Sequence, residues 1–324
     1  MPLFSLEDLA EVTPLVRSFV PPTPAYAWPL LRARTGVDVI VKHENHTPTG
    51  AFKARGVPVY LDALRRVGAL PPGVVSATRG NHGQAVAIAA ARNGIPAVIV
   101  VPAGNSVEKN AAMAAFGAEV IVAGADFDES RVVAAEIAEA RGYHVVPAFH
   151  AEIVKGVATY AQELFTAVPD LSVVYVPIGM GSGICGLITV RDLLGLDTEI
   201  VGVVSTEAPA FALSFEAGRP ISTESARTFA DGMACRMPLP EPVEIIRAGA
   251  ARIVRVGDAA IADAVRAYYT DTHNLAEGAG AAPLAALIAE RDRYAGRRAA
   301  IVLTGGNIDA PLLAQILQGG TPAA

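Results

Sequence analysis

Between residues 73 and 146 the chain alternates short apolar runs with alanine-rich amphipathic stretches. The apolar runs have the length of buried strands, and the stretches between them have the length and periodicity of helices. Asn105 and Asp126 each stand three residues before a glutamate, and glycines follow the helix ends, as in capped helices. Strands that alternate with helices predict a parallel sheet with helices on both faces. The pattern predicts strands over 74–77, 97–101 and 119–122 and helices over 84–92, 105–116 and 126–141.

A second series of strands and helices begins near residue 172 and continues almost to the end of the sequence. A glycine-rich loop, residues 179–183, lies between its first strand and its first helix. No repeat, low-complexity segment or long linker interrupts the pattern, and a single helix fits after Asn307. Two α/β units are therefore predicted. In the second unit the strands are predicted over 172–178, 199–204, 252–256 and 299–303, and the helices over a segment ending near 194, over 258–273 and over 280–294.

Composition narrows the class of protein. The 324 residues are 52% hydrophobic and 18% charged, as in a compact enzyme of about two domains. The net charge of −6, without a Lys/Arg cluster, argues against nucleic-acid binding, and no apolar stretch has the length of a membrane span. The amino terminus shows no signal peptide, and Cys185 and Cys235 are the only cysteines. We therefore expect a cytoplasmic protein with buried thiols.

Lys53 is the first candidate for covalent chemistry. It follows Phe52 and lies three residues from a glycine on either side, at Gly50 and Gly56. Glycine lets the backbone approach a planar ligand, and apolar neighbours lower the pKa of a lysine amine and make it nucleophilic. A Schiff base with an aldehyde cofactor requires such an amine. For this run taken alone, an ordinary lysine near a helix start is the alternative.

The glycine loop at 179–183 is the second candidate. Between a strand and a helix, backbone amides and the helix dipole can hold a phosphate dianion, and Ser182 can add a hydroxyl donor. Residues 181–186 also fit the dinucleotide fingerprint, and Glu207 follows at a strand end. That fingerprint normally opens the first βα unit of its domain, whereas here a complete α/β unit precedes it. A nicotinamide-dependent oxidoreductase is the weaker alternative.

Four motifs together resemble the serine/threonine dehydratase family of pyridoxal-phosphate enzymes, which has the tryptophan-synthase β-like fold and includes serine racemase and hydroxyaspartate dehydratases. Residues 51–56 (AFKARG) match the family's lysine motif, and residues 79–84 (RGNHGQ) match its Ser-Gly-Asn-His motif. Residues 179–183 (GMGSG) match its phosphate loop, and residues 304–307 (TGGN) match its late Ser-Gly-Gly-Asn motif. The motifs occur in the family's order and span nearly the whole sequence.

The resemblance implies an α/β fold with two open, twisted, mostly parallel sheets, helices on both faces, and pyridoxal 5′-phosphate in the cleft between two domains. The larger domain would comprise residues 1–53 and 147–324, and the smaller inserted domain residues 54–146. The implied function is that of a dehydratase, or ammonia-lyase, which converts a β-hydroxy-α-amino acid into a 2-oxo acid and ammonia. Threonine, serine, 3-hydroxyaspartate and phenylserine are candidate substrates. A racemase of the same fold is the alternative, and a homodimer is expected.

The resemblance also implies residue roles. Lys53 would hold the cofactor covalently and remove the substrate's α-proton. Asn81 would contact the cofactor's phenolic oxygen, and the Thr304 hydroxyl would face the pyridine nitrogen, where a neutral donor favours elimination over transamination. The expected cofactor contacts are Phe52, Lys53, Asn81, Gly179, Met180, Gly181, Ser182, Gly183, Gly232, Glu277 and Thr304, and the expected substrate contacts are Thr78, Arg79, Gly80, Asn81 and His82.

Arg79 departs from the family's pattern, because the racemases carry there a serine that acts as the second acid/base. Arginine is a poor proton shuttle, so racemisation is disfavoured. On a turn expected to bind a carboxylate, Arg79 can instead receive a second carboxylate in bidentate fashion, and an outward salt bridge is the alternative. Glu277 and Phe52 also have ordinary alternatives, as a helix-terminal charge and as core packing. No metal site is expected, since Val204 replaces the family's divalent-metal glutamate and the histidines lack ligand spacing.

Overall fold

The computed structural model describes residues 2–125 and 127–323. Its strands form two sheets, and among the described strands β1 alone runs antiparallel to its neighbour, β2. The strands are β1 (Ala25–Ala27), β2 (Asp38–His43), β3 (Val74–Ala77), β4 (Ala97–Val101), β5 (Glu119–Val122), β6 (His144–Val145), β7 (Val173–Pro177), β8 (Glu199–Ser205), β9 (Arg252–Val256) and β10 (Arg298–Leu303). One sheet has six strands in the order β1-β2-β10-β7-β8-β9, and the other has four in the order β5-β4-β3-β6.

Helices connect most of these strands. They are α1 (Leu6–Phe19), α2 (Pro29–Thr35), α3 (Gly56–Arg66), α4 (Asn81–Arg92), α5 (Val107–Ala115), α6 (Phe127–Arg141), α7 (Ala151–Ala167), α8 (Ser182–Leu193), α9 (Ala210–Ala217), α10 (Pro240–Gly249), α11 (Asp258–Thr272), α12 (Gly278–Ala289) and α13 (Ala310–Leu317). Short 3₁₀ turns cover Phe52–Arg55, Asp231–Met233 and Arg291–Tyr294. Within the described ranges, no helix combines the length and the apolar character needed to cross a membrane.

The six-stranded sheet is buried on both faces. Along β10, Ala300 and Val302 belong to one hydrophobic cluster, and Ile301 and Leu303 belong to another on the opposite face. This alternation follows from the pleat of a strand, in which successive side chains point to opposite sides. Both faces are therefore covered by helices, as the apolar runs predict.

Two predicted helix starts need comment. The predicted cap Asn105 is wrong: α5 begins at Val107, and Ser106 caps it by accepting a hydrogen bond from the Lys109 amide at 3.0 Å. The Asn105 side chain instead donates to Asn110, because its amide reaches that neighbour at 2.7 Å. The predicted cap at Asp126 lies outside the described residues.

The loops that carry the sequence motifs follow the carboxyl ends of strands. Strands β2, β10 and β7 are parallel neighbours, so the segments after them emerge at one edge of the six-stranded sheet. Ala51 bridges Gly305, and the Phe52 amide donates to the Thr304 carbonyl at 3.0 Å, which joins the lysine segment to the late glycine segment. The four-stranded sheet draws its strands from residues 74–145, and the insertion of a small domain over 54–146 remains a proposal.

Candidate active site

One cavity brings together the residues that the sequence motifs single out. It lies where the segments after β2, β3, β7 and β10 converge, so both sheets contribute to its wall. The predicted residues that line it are Phe52, Lys53, Thr78, Arg79, Gly80, Asn81, His82, Gly179, Met180, Gly181, Ser182, Gly183, Gly232, Glu277 and Thr304. Their individual roles toward a ligand stay predictions.

Lys53 borders this cavity from the 3₁₀ turn after β2. Its Nζ donates to Ser182 Oγ at 3.1 Å and lies 4.8 Å from the centre of the Phe52 ring. No described carboxylate pairs with it. Burial therefore acts on the ammonium without compensation and lowers the pKa of Lys53 to about 8. A pKa of about 8 leaves far more of this amine neutral near physiological pH than an ordinary lysine pKa would, and the neutral amine is the nucleophilic form.

The amino terminus of α8 faces the same cavity and has the features of an anion site. The amides of Ser182, Gly183 and Ile184 have no acceptor among the described residues, and no side chain caps the helix. Its first turn carries no acidic residue. Unpaired amides and the helix dipole favour a phosphate at such a terminus.

Two glycines of this loop are required by its backbone. Gly181 has φ +96°, in the left-handed region that glycine adopts without strain. A Cβ at Gly179 would collide with the carbonyl oxygen of Gly232, so the loop can approach its neighbour because it lacks a side chain there. A Cβ at Gly181 would point toward Pro242, 2.8 Å away, and not into the cavity. The loop is thus a backbone cradle.

A second helix amino terminus, that of α4, opens onto the cavity from the other sheet. Its cap is Gly80, it has no side-chain cap, and its first turn has no acidic residue. The Thr78 hydroxyl accepts from the Gly80 amide at 3.1 Å and holds the turn. The His82 ring is buried and forms no hydrogen bond of normal geometry with a described residue. Burial, with nearby Lys53, lowers the pKa of His82 to about 3, so the ring is neutral.

Asn81 sits in a polar chain at the cavity wall. Its Nδ2 donates to Glu277 Oε1 at 2.6 Å, and its Oδ1 accepts from Asn307 Nδ2 at 2.8 Å. The other carboxylate oxygen of Glu277 contacts Lys109 Nζ at 3.2 Å, and Lys109 also pairs with Asp231 at 2.7 Å. The sequence analysis missed Lys109 and Asp231, both of which line the cavity.

Thr304 and Arg79 keep polar groups without partners. Thr304 is buried directly after β10, and no described residue forms a hydrogen bond with its hydroxyl, which leaves it available to a ligand. Arg79 is exposed at the cavity and has no ion pair or hydrogen bond with a described residue, so the outward salt bridge considered from sequence is not formed there. Phe52 also packs edge-on against Tyr160, so packing and cavity lining coincide.

A buried ionic network supports the lysine turn from behind. Arg55, two residues after Lys53, is fully buried and donates to Glu44 at 2.7 Å and to Glu163 at 2.8 Å. Lys42 donates to Glu163 at 2.6 Å. Two cations and two carboxylates neutralise one another, as burial of charge requires. The network ties the turn to β2 and α7.

These residues fit pyridoxal 5′-phosphate. A buried amine of lowered pKa suits the aldehyde, the uncapped amino terminus of α8 beside its glycine cradle suits the phosphate, and the unpaired Thr304 hydroxyl suits a ring nitrogen. In the described part of the chain, no three His, Cys, Asp or Glu side chains converge as metal ligands.

Comparison with known proteins agrees with this fit. The family model described as pyridoxal-phosphate dependent enzyme matches residues 16–305. The chain belongs to this family. Its cofactor is therefore pyridoxal 5′-phosphate, and the dinucleotide alternative for the loop at 179–183 is set aside.

Relatives within the family share most of the chain. An L-threonine ammonia-lyase of Thermotoga maritima is 33% identical over 98% of this chain and 79% of its own. An L-threo-3-hydroxyaspartate ammonia-lyase of a Pseudomonas species is 30% identical over 98% of this chain and 100% of its own. The processed form of threonine deaminase isoform 2 from Solanum lycopersicum superposes with a TM-score of 0.90 at 28% identity, over 97% of this chain and 92% of that structure. The predicted fold class is confirmed.

Proposed function

We propose that this pyridoxal-phosphate enzyme is an ammonia-lyase that eliminates water from β-hydroxy-α-amino acids. The observation that carries the proposal is the Lys53 amine, buried without a carboxylate partner opposite the uncapped amino terminus of α8. Relatives named as threonine and hydroxyaspartate ammonia-lyases support the reaction class. Serine and threonine are the first substrates to test.

Three groups of residues would hold the cofactor. Lys53 would bind its aldehyde, the amides of 182–184 would bind its phosphate, and Thr304 would donate to its ring nitrogen. When bound, the cofactor withdraws electrons from the α-carbon of an amino acid and so acidifies that carbon. Because Thr304 is a neutral donor, the ring nitrogen stays less basic than it would beside a carboxylate, which favours expulsion of a β-substituent.

The protein's own part in the reaction is proton transfer and orientation. Lys53 Nζ, of which about half is neutral at pH 8, would take the α-proton, and Ser182 Oγ at 3.1 Å would relay it to the departing β-hydroxyl. The substrate's α-carboxylate would lie at the amino terminus of α4, where unpaired amides and the Thr78 turn favour an anion. Loss of the α-proton and the β-hydroxyl amounts to one water. The released enamine becomes an imine and takes up that water, giving a 2-oxo acid and ammonia.

A racemase is less well supported by the cavity. Racemisation needs a second proton carrier on the opposite face of the substrate. Arg79 occupies the position from which the resembling racemases supply a serine, and a guanidinium does not release its proton at physiological pH. Elimination needs one base, and Lys53 supplies it.

The test is a panel of β-hydroxy amino acids incubated with the purified holoenzyme, with 2-oxo acid and ammonia measured in equal amounts. Serine, threonine, 3-hydroxyaspartate and phenylserine, in both configurations, cover the candidate substrates. Appearance of the mirror-image amino acid without ammonia would replace the ammonia-lyase by a racemase. Absence of both products across the panel would refute the proposal.

Localisation, assembly and domain division belong to the same proposal. Cys185 and Cys235 are buried and not joined in a disulfide, which is typical of a reducing compartment and supports the cytoplasm. A homodimer is proposed from the family resemblance. Light scattering coupled to size-exclusion chromatography, which measures the molar mass in solution, tests it. The domain boundaries, 1–53 and 147–324 against 54–146, predict that the two domains open as two separate cooperative units in native-state hydrogen exchange.

A further inference from the structure

Lys109 is a buried cation that joins the two sheets at the cavity. It lies on α5, beside the four-stranded sheet, whereas its partners Asp231 and Glu277 lie in segments flanking the six-stranded sheet. Its ammonium is 2.7 Å from Asp231 and 3.2 Å from Glu277, and its side chain is 7% exposed. Its stem passes so close to Gly80 that a Cβ there would collide with it. The Lys109 side chain therefore contacts the turn at Gly80 through its stem and two carboxylates through its ammonium.

The ion pair controls an amide that faces the cavity. Glu277 accepts from Asn81 Nδ2 at 2.6 Å, and Asn307 donates to Asn81 Oδ1 at 2.8 Å. An ionised carboxylate can only accept, so it fixes which end of the Asn81 amide it meets. Asn81 Nδ2 keeps a second N–H, for which the described residues offer no acceptor. Asn81 is thus held as a hydrogen-bond donor toward the cavity.

That orientation depends on the charge of Glu277. Glu277 is buried, and Asp231 shares the same ammonium, so burial and the second carboxylate both favour the protonated form and raise the pKa of Glu277. Lys109 opposes both effects. Without it, a protonated Glu277 gains an O–H donor that competes for Asn81 Oδ1, and the amide can turn its oxygen to the cavity.

We propose that Lys109 is a positioning residue, which holds Glu277 as a carboxylate and thereby presents the Asn81 N–H to the cofactor. The inference rests on the proposed site only in assigning Asn81 to the cofactor's phenolic oxygen. It concerns cofactor binding and electronics, and not the choice of substrate.

A purely mechanical role is the rival. The same end of α5 also contacts the other sheet's segments through Ser106, which donates to Asp309, and through Glu108, which accepts from the Ala310 amide at 2.8 Å. If α5 only holds the segments of the two sheets together, breaking these contacts should have the same effect on cofactor binding as removing the Lys109 charge.

The experiment compares Lys109→Met and Lys109→Arg with the matched controls Glu108→Ala and Asp309→Ala. Each apo protein is titrated with pyridoxal phosphate, and the absorption of the bound cofactor is followed against pH. Lys109→Met should weaken binding about tenfold to a hundredfold, the range for one charge-assisted hydrogen bond. The pH at which the absorption of the bound cofactor changes should be higher in Lys109→Met. An N–H donor favours the ionised phenol, and this variant loses that donor. Lys109→Arg should restore most of both, and the two controls should match wild type.

Glu277→Gln tests the same series of hydrogen bonds at the carboxylate. It also keeps the proposal testable if Lys109→Met does not fold. It should shift the cofactor spectrum as Lys109→Met does, and the two changes should not add in the double variant. An unshifted spectrum in Glu277→Gln, or equal shifts in Glu108→Ala and Asp309→Ala, would overturn the inference. Neither result touches the proposed function, which fails only if the wild-type enzyme releases no ammonia.

Discussion

The Lys53 amine donates to the Ser182 hydroxyl at 3.1 Å, although the two residues are 129 positions apart. Lys53 follows β2 and Ser182 begins α8 after β7, and both strands flank β10 in one parallel sheet. Sheet topology thus sets the Lys53 amine against the uncapped amino terminus of α8. The contact also gives the buried amine a neutral partner, so its pKa stays low, whereas a carboxylate partner would raise it.

Lys53→Ala should separate covalent attachment from folding. The variant should fold and keep some affinity for the cofactor through the amino terminus of α8, yet borohydride should fix no cofactor to the chain. Ammonia release should fall at least about a hundredfold, the lower range for a catalytic base. Lys155→Ala is the matched control, because Lys155 pairs with Glu152 on α7 and does not line the cavity. Substantial turnover by Lys53→Ala would place the base elsewhere.

The rate at which the apo enzyme takes up cofactor should depend on pH through Lys53. Attachment needs the neutral amine, and burial lowers the pKa of Lys53 to about 8. The rate should therefore rise as the pH passes through about 8 and level off above it. Stopped-flow absorbance at saturating cofactor measures this. A rate that keeps rising toward pH 10, where an ordinary lysine titrates, would contradict the lowered pKa.

Local chemistry made part of the site predictable from sequence. Gly181 needs φ +96°, and the lysine between two glycines needs a backbone that approaches a ligand, so both leave a pattern within a few residues. Lys109 leaves none. It lies on an ordinary amphipathic helix, and its partners Asp231 and Glu277 are 122 and 168 residues away. A tertiary ion pair of this kind becomes visible only when the two sheets are placed.

The fold shows the same difference between features that a local sequence pattern predicts and features that depend on contacts between side chains. Buried parallel strands carry continuous apolar runs, and the β4 and β5 bounds match the predicted ranges. Helix starts depend on competition between neighbouring side chains, which composition does not decide. Ser106 capped α5 in place of Asn105, because the serine hydroxyl met the free amide while the asparagine bonded elsewhere.

Arg55→Met should destabilise the protein strongly without touching the cavity wall. Removing the guanidinium leaves Glu44 and Glu163 buried with one cation, Lys42, which for such networks costs about 3–5 kcal/mol. Urea unfolding measures the loss, and the deficit should shrink as pH falls, because protonating a carboxylate restores neutrality. Arg255→Met removes an exposed pair with Glu216 and should cost less than about 1 kcal/mol. Equal losses would mean that the buried network adds no stability.

Arg79 should decide whether a second carboxylate is accepted. Among the cations that line the cavity, Lys53 is proposed to bind the cofactor and Lys109 pairs with two carboxylates, whereas Arg79 has no described partner. A guanidinium can bind a carboxylate in bidentate fashion. Arg79→Ser should therefore lose about tenfold to a hundredfold in kcat/KM on 3-hydroxyaspartate, as for one charge-assisted hydrogen bond, and change little on threonine. Arg79→Lys keeps the charge but lacks the planar guanidinium, so its kcat/KM on 3-hydroxyaspartate should lie between those of wild type and Arg79→Ser. Steady-state kinetics of the three proteins on both substrates measures this, and equal losses on threonine and the diacid would assign Arg79 to the common α-carboxylate or to the fold.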